Sequence, residues 1–323
     1  MQIKHFLEAI NQEIAQTEYG KNPVELYEPI EYIMALGGKR MRPLLALMAA
    51  ELFTDNWQKA LKPAIGVEVF HNFTLMHDDI MDDAPLRRGK PTVHEKWNSN
   101  IAILSGDVML VCAYELMLNA DAAKLPHILK RFNRTAAGVC EGQQMDMNFS
   151  SRSDVSKEEY IEMIRLKTSV LLGYALELGG IVADADQESV DLLYEIGEKI
   201  GIGFQLKDDI LDVYGDPEKF GKQVGGDIIE NKKTLLLIEA MVRATGDTKV
   251  ELDKWLNAKE FDKAEKVKAV TEIYNQLNIK QIAEAEMNHY FGLGFEGLRK
   301  LNAPANRKEA LISFVEQLIE RES

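Results

Sequence analysis

Two short stretches hold most of the residues that could do chemistry: DDIMDD at 78–83 and DDILD at 208–212. Each sets carboxylates inside an otherwise apolar run. In a helix, positions i and i+4 lie on one face about a turn apart. Asp78 and Asp82 therefore project together, and so do Asp208 and Asp212. The first stripe extends back through Thr74 and His71, and the second through Gln205, with Asp209 beside it. Like charges at this spacing repel, and far more strongly when buried without partners. Taken alone, either cluster reads equally well as a solvated acidic face. Two of them, the second backed by Ile202, Leu206, Ile210 and Val213, point to carboxylates lining a polar cavity. Hard oxygen ligands suit Mg²⁺, which keeps several waters and takes a few carboxylates together with substrate phosphates.

A polyanionic substrate would also need cations, and basic groups recur beside the acidic ones. GGKRMRP at 37–43 places Lys39, Arg40 and Arg42 at the start of a helix, with Pro43 in its first turn. Cations there oppose the helix dipole unless an anion binds in the same place. Arg87 and Arg88 follow the first acidic cluster. Phe220-Gly221-Lys222 and Lys232-Lys233-Thr234 follow the second. A lone histidine in an apolar helix is ordinarily a satisfied core residue. His71 shares the Asp78 face, so it is read as a polar contact in the cavity and not as a metal ligand. Lys167-Thr168 and the Gln143 region (GQQMD at 142–146) are weaker signals of the same kind.

The elements that must position these residues are helical, with no alternating strand pattern. No proline falls between Pro126 and Pro217, which allows long uninterrupted helices there. Turn signals at 20–23, 37–38, 54–56, 150–154, 215–217, 225–226 and 303–304 separate ten or more helical segments. No linker, repeat or low-complexity tract divides the 323 residues, so the expectation is one all-α domain over 1–323. With 46% hydrophobic and 28% charged residues the composition is globular. A net charge of −14 argues against a non-specific nucleic-acid binder, though not against an anionic substrate held by a local basic cluster. Cys112 and Cys140 read as two buried free thiols of a reducing compartment. The N-terminal helix lacks the apolar core of a signal peptide, and no apolar run reaches the length of a membrane span. A cytoplasmic protein without stable membrane insertion is expected.

The order GGKRMRP, HNFTLMHDDIMDDAPLRRGKPTVH, EGQQMDM, Lys167-Thr168 and FQLKDDILDVYGDPEKFGKQVGGDI, running from residue 37 to residue 234, resembles the trans-isoprenyl diphosphate synthases. The resemblance implies a helical prenyltransferase fold around a central cavity, usually as a homodimer. It implies two aspartate motifs that hold three Mg²⁺ ions on an allylic diphosphate. By position, Asp78, Asp82 and Asp208 match the metal ligands, with Asp79, Asp209, Asp212 and Gln143 in support. Arg87, Lys167 and Lys222 match residues that hold the allylic diphosphate. Lys39, Arg42, His71 and Arg88 match those that hold isopentenyl diphosphate. Thr168 and Gln205 match polar groups near the developing carbocation.

The implied reaction joins the two substrates head-to-tail into a longer all-trans prenyl diphosphate. In such enzymes bulky residues about one turn before the first aspartate close the product tunnel. Phe73 with the small Thr74 beside it suggests a short product, farnesyl or geranylgeranyl diphosphate, unless Phe73 merely packs between helices. Gln223 stands where many members carry proline, and the C-terminal FVEQLIERES lacks the basic tail of some farnesyl diphosphate synthases. Two other readings share parts of the pattern. A terpene cyclase would have the fold and the first motif but a different second one. A non-catalytic subunit of a heteromeric synthase would tend to lose a motif.

Overall fold

A computed structural model describes residues 2–216 and 225–320. The chain is almost wholly helical, in two compact units. The first comprises residues up to 134 with 171–194 and 301–311. The second comprises 135–170, 195–300 and the chain from 312 onward.

The first unit is built on helices α1 (Gln2–Gln16), α2 (Val24–Ala35), α3 (Met41–Phe53), α4 (Leu61–Met81), α5 (Val93–Lys96) and α6 (Ser99–Met117). The start of α7 (Leu125–Phe149) and most of α9 (Val170–Val182) belong to it too. Helix α4 is buried nearly all round, from Pro63 through Val69 and Phe70 to Met76 and Asp79, the mark of a central helix. It packs chiefly on α6. Gly66 permits that approach, because a Cβ there would stand 2.9 Å from the carbonyl oxygen of Ala113. Helix α3 is equally apolar, and α9 presses on it at Gly179, where a Cβ would run into the carbonyl of Ala46.

The start of α3 is fixed by a buried ion pair. Arg40 caps the helix at φ 47° and donates to Glu68 Oε1 of α4 at 2.9 Å and to the Met34 carbonyl at 2.6 Å. Both side chains are under 5% exposed.

The second unit contains the rest of α7, α8 (Lys157–Ile164), a π-helical turn (Arg165–Ser169) and the C-terminal part of α10 (Gln187–Tyr214). It continues with α11 (Gly226–Ile229), α12 (Leu235–Arg243), α13 (Gly246–Asn257), α14 (Lys263–Gln276) and α15 (Ile279–Lys300), then the end of α16 (Ala305–Glu320). Local signals start several of these helices. Ser156 and Glu159 form a capping box on α8, and Asp262 caps α14 through the Glu265 amide. Ile202, Leu206, Ile210 and Val213 are buried, as the helical period predicts.

Three features correct or lie outside the sequence reading. A two-residue antiparallel pair, β1 (Leu86–Arg87) with β2 (Lys90–Pro91), interrupts the helices. Its turn residues Arg88 (φ 54°) and Gly89 (φ 73°) both have the positive φ that a tight hairpin turn demands. Cys112 and Cys140 form no disulfide, as expected, but Cys112 is only half-buried and Cys140 is exposed. Finally, α6 is long and apolar enough by length and composition to cross a membrane, with a mean hydropathy of 1.4. Its small Ser, Gly and Ala residues disguise it in a reading that looks for unbroken bulky runs.

Removing one member of a buried pair leaves an uncompensated charge and costs about 3–5 kcal/mol. Arg40→Met should therefore lower unfolding stability by roughly that amount in urea denaturation. Arg40→Met combined with Glu68→Met should recover most of the loss.

Candidate active site

In the first unit, α4 carries His71, Phe73, Thr74, Asp78 and Asp79 in one continuous helix and ends with Asp82 as its C-cap. The Asp82 amide donates to the Asp78 carbonyl at 2.8 Å, so these two carboxylates leave the last turn together. Asp79 is different. It is buried at 2% exposure and takes a two-pronged ion pair from Arg87, with Nε at 2.8 Å and Nη2 at 2.6 Å. The hairpin turn next to Arg87 brings Arg88 onto the Gly37 carbonyl, at the Gly37-Gly38 bend before α3.

These contacts gather Arg40, Arg42, Arg87 and Arg88 around His71. Burial, then Arg42, Arg87, Arg88 and Arg40 in that order, hold the His71 pKa well below the ordinary histidine range. Burial also brings Arg42 down to about 10, with Glu68 opposing the shift. Arg88 is lowered by burial and by Arg40. A protein with net charge −14 has thus concentrated positive charge at one place until its own histidine is kept neutral. Such a cluster is built to receive an anion. Of the sequence trio Lys39, Arg40 and Arg42, the exposed Lys39 and the enclosed Arg42 remain candidates for it, while Arg40 is committed to Glu68. Glu68 was not foreseen. Its only signal is a lone acid in the apolar run before His71.

Phe73 lies edge-on to His77, with ring centroids 4.7 Å apart, and 5.6 Å from Phe70. Thr74 donates to the His71 carbonyl at 2.8 Å. The aromatic series continues from Phe70 to Phe132 and on to Tyr114 and Tyr174.

In the second unit, α10 presents Gln205, Asp208, Asp209 and Asp212. A hydrogen-bond chain crosses it. The Thr168 hydroxyl donates to Gln205 Oε1 at 3.3 Å, Gln205 Nε2 donates to Asp209 Oδ1 at 3.0 Å, and the Tyr160 hydroxyl donates to Asp209 Oδ2. Asp212 Oδ2 accepts the Asp227 amide at 3.0 Å, which ties α11 to α10. Lys167 donates to Asp146 of α7 at 2.6 Å. It stands in the π-helical turn, a distortion often found at functional sites. Gly142 makes room for that turn, since a Cβ there would collide with the Lys167 backbone. Gln143, beside it on α7, is buried. Lys222 lies outside the described residues.

The donor set suits a divalent cation. It consists of carboxylate oxygens, with Lys232 Nζ 3.9 Å from Asp227 Oδ1. Burial first, then repulsion from Asp227, push Asp209 up to about 7 despite the hydrogen bonds from Tyr160 and Gln205 that lower it. A hard cation beside such carboxylates would relieve that repulsion. Tyr160 lies in no motif, whereas Asp146 and Asp227 sit inside the EGQQMDM and FQLKDDILDVYGDPEKFGKQVGGDI stretches without having been singled out.

A family model described as polyprenyl synthetase matches residues 23–274. The chain is 39% identical over 296 residues to a geranylgeranyl diphosphate synthase of Saccharolobus solfataricus, covering 90% of this chain and 89% of that one. It is 40% identical over 271 residues to a short chain isoprenyl diphosphate synthase of Methanocaldococcus jannaschii, covering 84% and 82%. A crystal structure of a geranylgeranyl pyrophosphate synthase matches with a TM-score of 0.91 at 45% identity, over 99% of this chain and 98% of that one. One from Pyrococcus horikoshii matches at 0.92 and 33%, with the same coverage. The chain belongs to the polyprenyl synthetase family and is an isoprenyl diphosphate synthase, a trans-prenyltransferase.

An anion bound at the basic cluster would offset the field that keeps His71 neutral, so its pKa should rise on binding. Near pH 6, where an ordinary histidine titrates, wild-type protein should take up more protons on binding inorganic diphosphate than His71→Gln does. Calorimetry in buffers of different ionisation enthalpy measures the difference, which should vanish by about pH 8.

Proposed function

We propose that the enzyme condenses isopentenyl diphosphate head-to-tail with an allylic diphosphate, giving farnesyl or geranylgeranyl diphosphate and free diphosphate. The observation that carries this reading is the ring of guanidiniums around a neutral His71, on the helix that ends in Asp78 and Asp82. A diphosphate at the basic cluster and its cations at the helix end would then lie about two turns apart on one helix. The name borne by the Saccharolobus solfataricus relative favours geranylgeranyl as the product. Both carboxylate motifs are complete, which favours a catalytic chain over a non-catalytic subunit. The second DDxxD, with the basic cluster as a site for a second diphosphate, favours elongation over cyclisation.

Asp78 and Asp82 in the first unit, and Asp208 in the second, would serve as magnesium ligands, with three ions expected. Bound magnesium supplies the charge that stabilises a departing diphosphate. Asp79 and Asp209 act indirectly, the first by holding Arg87 and the second by anchoring Gln205 and Tyr160. Asp212 fixes α11, and Gln143 would support the site from beside Gly142, which makes room for the Lys167 turn. Arg87, Lys167 and Lys222 would grip the allylic diphosphate, and Lys39, Arg42, His71 and Arg88 the isopentenyl diphosphate. The allylic C–O bond breaks and its electron pair leaves on diphosphate. The isopentenyl double bond attacks the resulting cation, and the released diphosphate takes the proton lost afterwards. The oxygens of Thr168 and Gln205, already joined to each other, would lie beside that cation.

A cytoplasmic homodimer is part of the proposal. Leu104 and Val111 on α6 and Leu118 at its C-cap repeat every seventh residue and are 58%, 58% and 53% exposed. An apolar stripe of this kind calls for cover, and a second copy of the chain would supply it.

Purified protein incubated with Mg²⁺, labelled isopentenyl diphosphate and dimethylallyl, geranyl or farnesyl diphosphate should yield extended prenyl alcohols after phosphatase treatment. Absence of extension from all three primers would sink the reading. Asp78→Ala and Asp208→Ala should each lower turnover by about 10³-fold or more with the fold intact by circular dichroism. Separately, Phe73→Ala should lengthen the product by at least one isoprene unit in the same assay. An unchanged product would place the tunnel floor elsewhere.

A further inference from the structure

Between the end of α4 and α5, three side chains that prenyl transfer does not use come together. Asp83, His94 and Glu95 each offer a ligand atom, and these atoms all lie within 4.8 Å of one another. The His94 side chain is only 7% exposed, yet neither Nδ1 nor Nε2 has a hydrogen-bond partner. Its Nε2 stands 3.7 Å from Glu95 Oε1, too far for a hydrogen bond and open enough for something to lie between. Buried imidazoles normally satisfy at least one ring nitrogen, because leaving both unpaired sacrifices their hydration for nothing. Asp83 and Glu95, by contrast, are exposed and can turn.

We propose that Asp83, His94 and Glu95 bind a transition-metal dication of the zinc or cobalt type, at a site separate from the magnesium carboxylates. One imidazole nitrogen with two carboxylate oxygens is the mixed donor set that such ions prefer and that magnesium does not. Ligand atoms that share an ion at about 2.1 Å stand roughly 3–3.5 Å apart. Closing the site therefore takes a movement of about an ångström by the two exposed carboxylates toward the fixed imidazole.

The backbone is prepared for this. Asp83 has φ 49°, a left-handed conformation that Asp and Asn tolerate better than other residues. Thr92, the residue before α5, already ties this segment back to the end of α4. Its hydroxyl donates to the Ala84 carbonyl at 2.7 Å and its amide to the Pro85 carbonyl at 3.1 Å. A metal ion here would fasten Asp83 to His94 and Glu95 and so close the loop 84–92, which carries Arg87 and Arg88. The role is structural: the ion holds the arginine hairpin in place.

The test is titration of chelator-treated, full-length protein with Co²⁺ in millimolar Mg²⁺ and no diphosphate, followed by the visible absorption of nitrogen-ligated cobalt. Wild type should bind one equivalent that Zn²⁺ displaces. His94→Asn, Asp83→Asn and Glu95→Gln should each weaken binding at least tenfold, while Asp78→Asn should bind as wild type does. Hydrogen exchange of amides 84–92 should slow with Zn²⁺ in wild type and not in His94→Asn. Glu95→Gln changes only an exposed carboxylate, so a loss there cannot be ascribed to misfolding. No cobalt uptake by wild type would overturn the proposal. So would uptake that survives His94→Asn and disappears in Asp78→Asn, which would assign the ion to the magnesium carboxylates.

Discussion

Everything in the first unit depends on placing charge in a helix that is buried on nearly every side. Helix α4 carries Glu68, His71, Asp78 and Asp79 through the core, and each needs a reason not to unfold it. Isolated buried charges are intolerable, so they are met one by one. Arg40 answers Glu68, and Arg87 answers Asp79. His71 is kept neutral. These pairings select which residues remain for a ligand. Arg42 is enclosed and, like Arg88, crowded by like charge, and Asp78 and Asp82 stand at the helix end, where its last carbonyls add to their field. A diphosphate with its cations is the object that satisfies both ends of such a gradient.

The second unit solves a milder version of the problem with hydrogen bonds. Asp209 is the deepest of the carboxylates on α10, and instead of an arginine it has Tyr160 and Gln205. Neutral donors lower its pKa without cancelling its charge, and burial with Asp227 still wins. Asp209 is therefore partly protonated near neutral pH, and a divalent ion bound beside it would favour its ionised form. An arginine in place of Tyr160 would satisfy Asp209 and weaken the site for metal.

How much of this could be read from the sequence follows from the range of the interactions involved. The i, i+4 carboxylates, the apolar stripe behind Asp208 and the main turns were legible, because each rests on the helical period or on local turn chemistry. The division of labour within Lys39, Arg40 and Arg42 was not. It depends on Glu68, 28 positions away in the chain. The π-helical turn at Lys167 was equally hidden, since what accommodates it is the missing side chain of Gly142 on another helix. The hairpin at 86–91 has strands of two residues, too short for any alternation to register. Only Gly89, at a position that needs positive φ, hinted at it.

That hairpin is also where local and tertiary demands conflict most. Arg88 is held at positive φ, which a side chain of its size ordinarily avoids, and Arg87 must reach a buried carboxylate from the adjoining strand. Two residues of pairing on each side are far fewer than a free-standing hairpin needs. Its geometry must therefore come from its ends: the Asp79–Arg87 pair and the Gly37 contact of Arg88 on one side, the Thr92 hydrogen bonds on the other. The two arginines proposed to meet the anion are positioned by the same contacts that keep the short hairpin folded. Loosening the Arg88 contact with Gly37 or the Thr92 hydrogen bonds, which leave the buried Asp79–Arg87 pair intact, should therefore degrade anion binding before it affects the stability of the helices. This follows because α3, α4 and α6 draw their stability from the apolar core beneath, where the hairpin buries almost nothing.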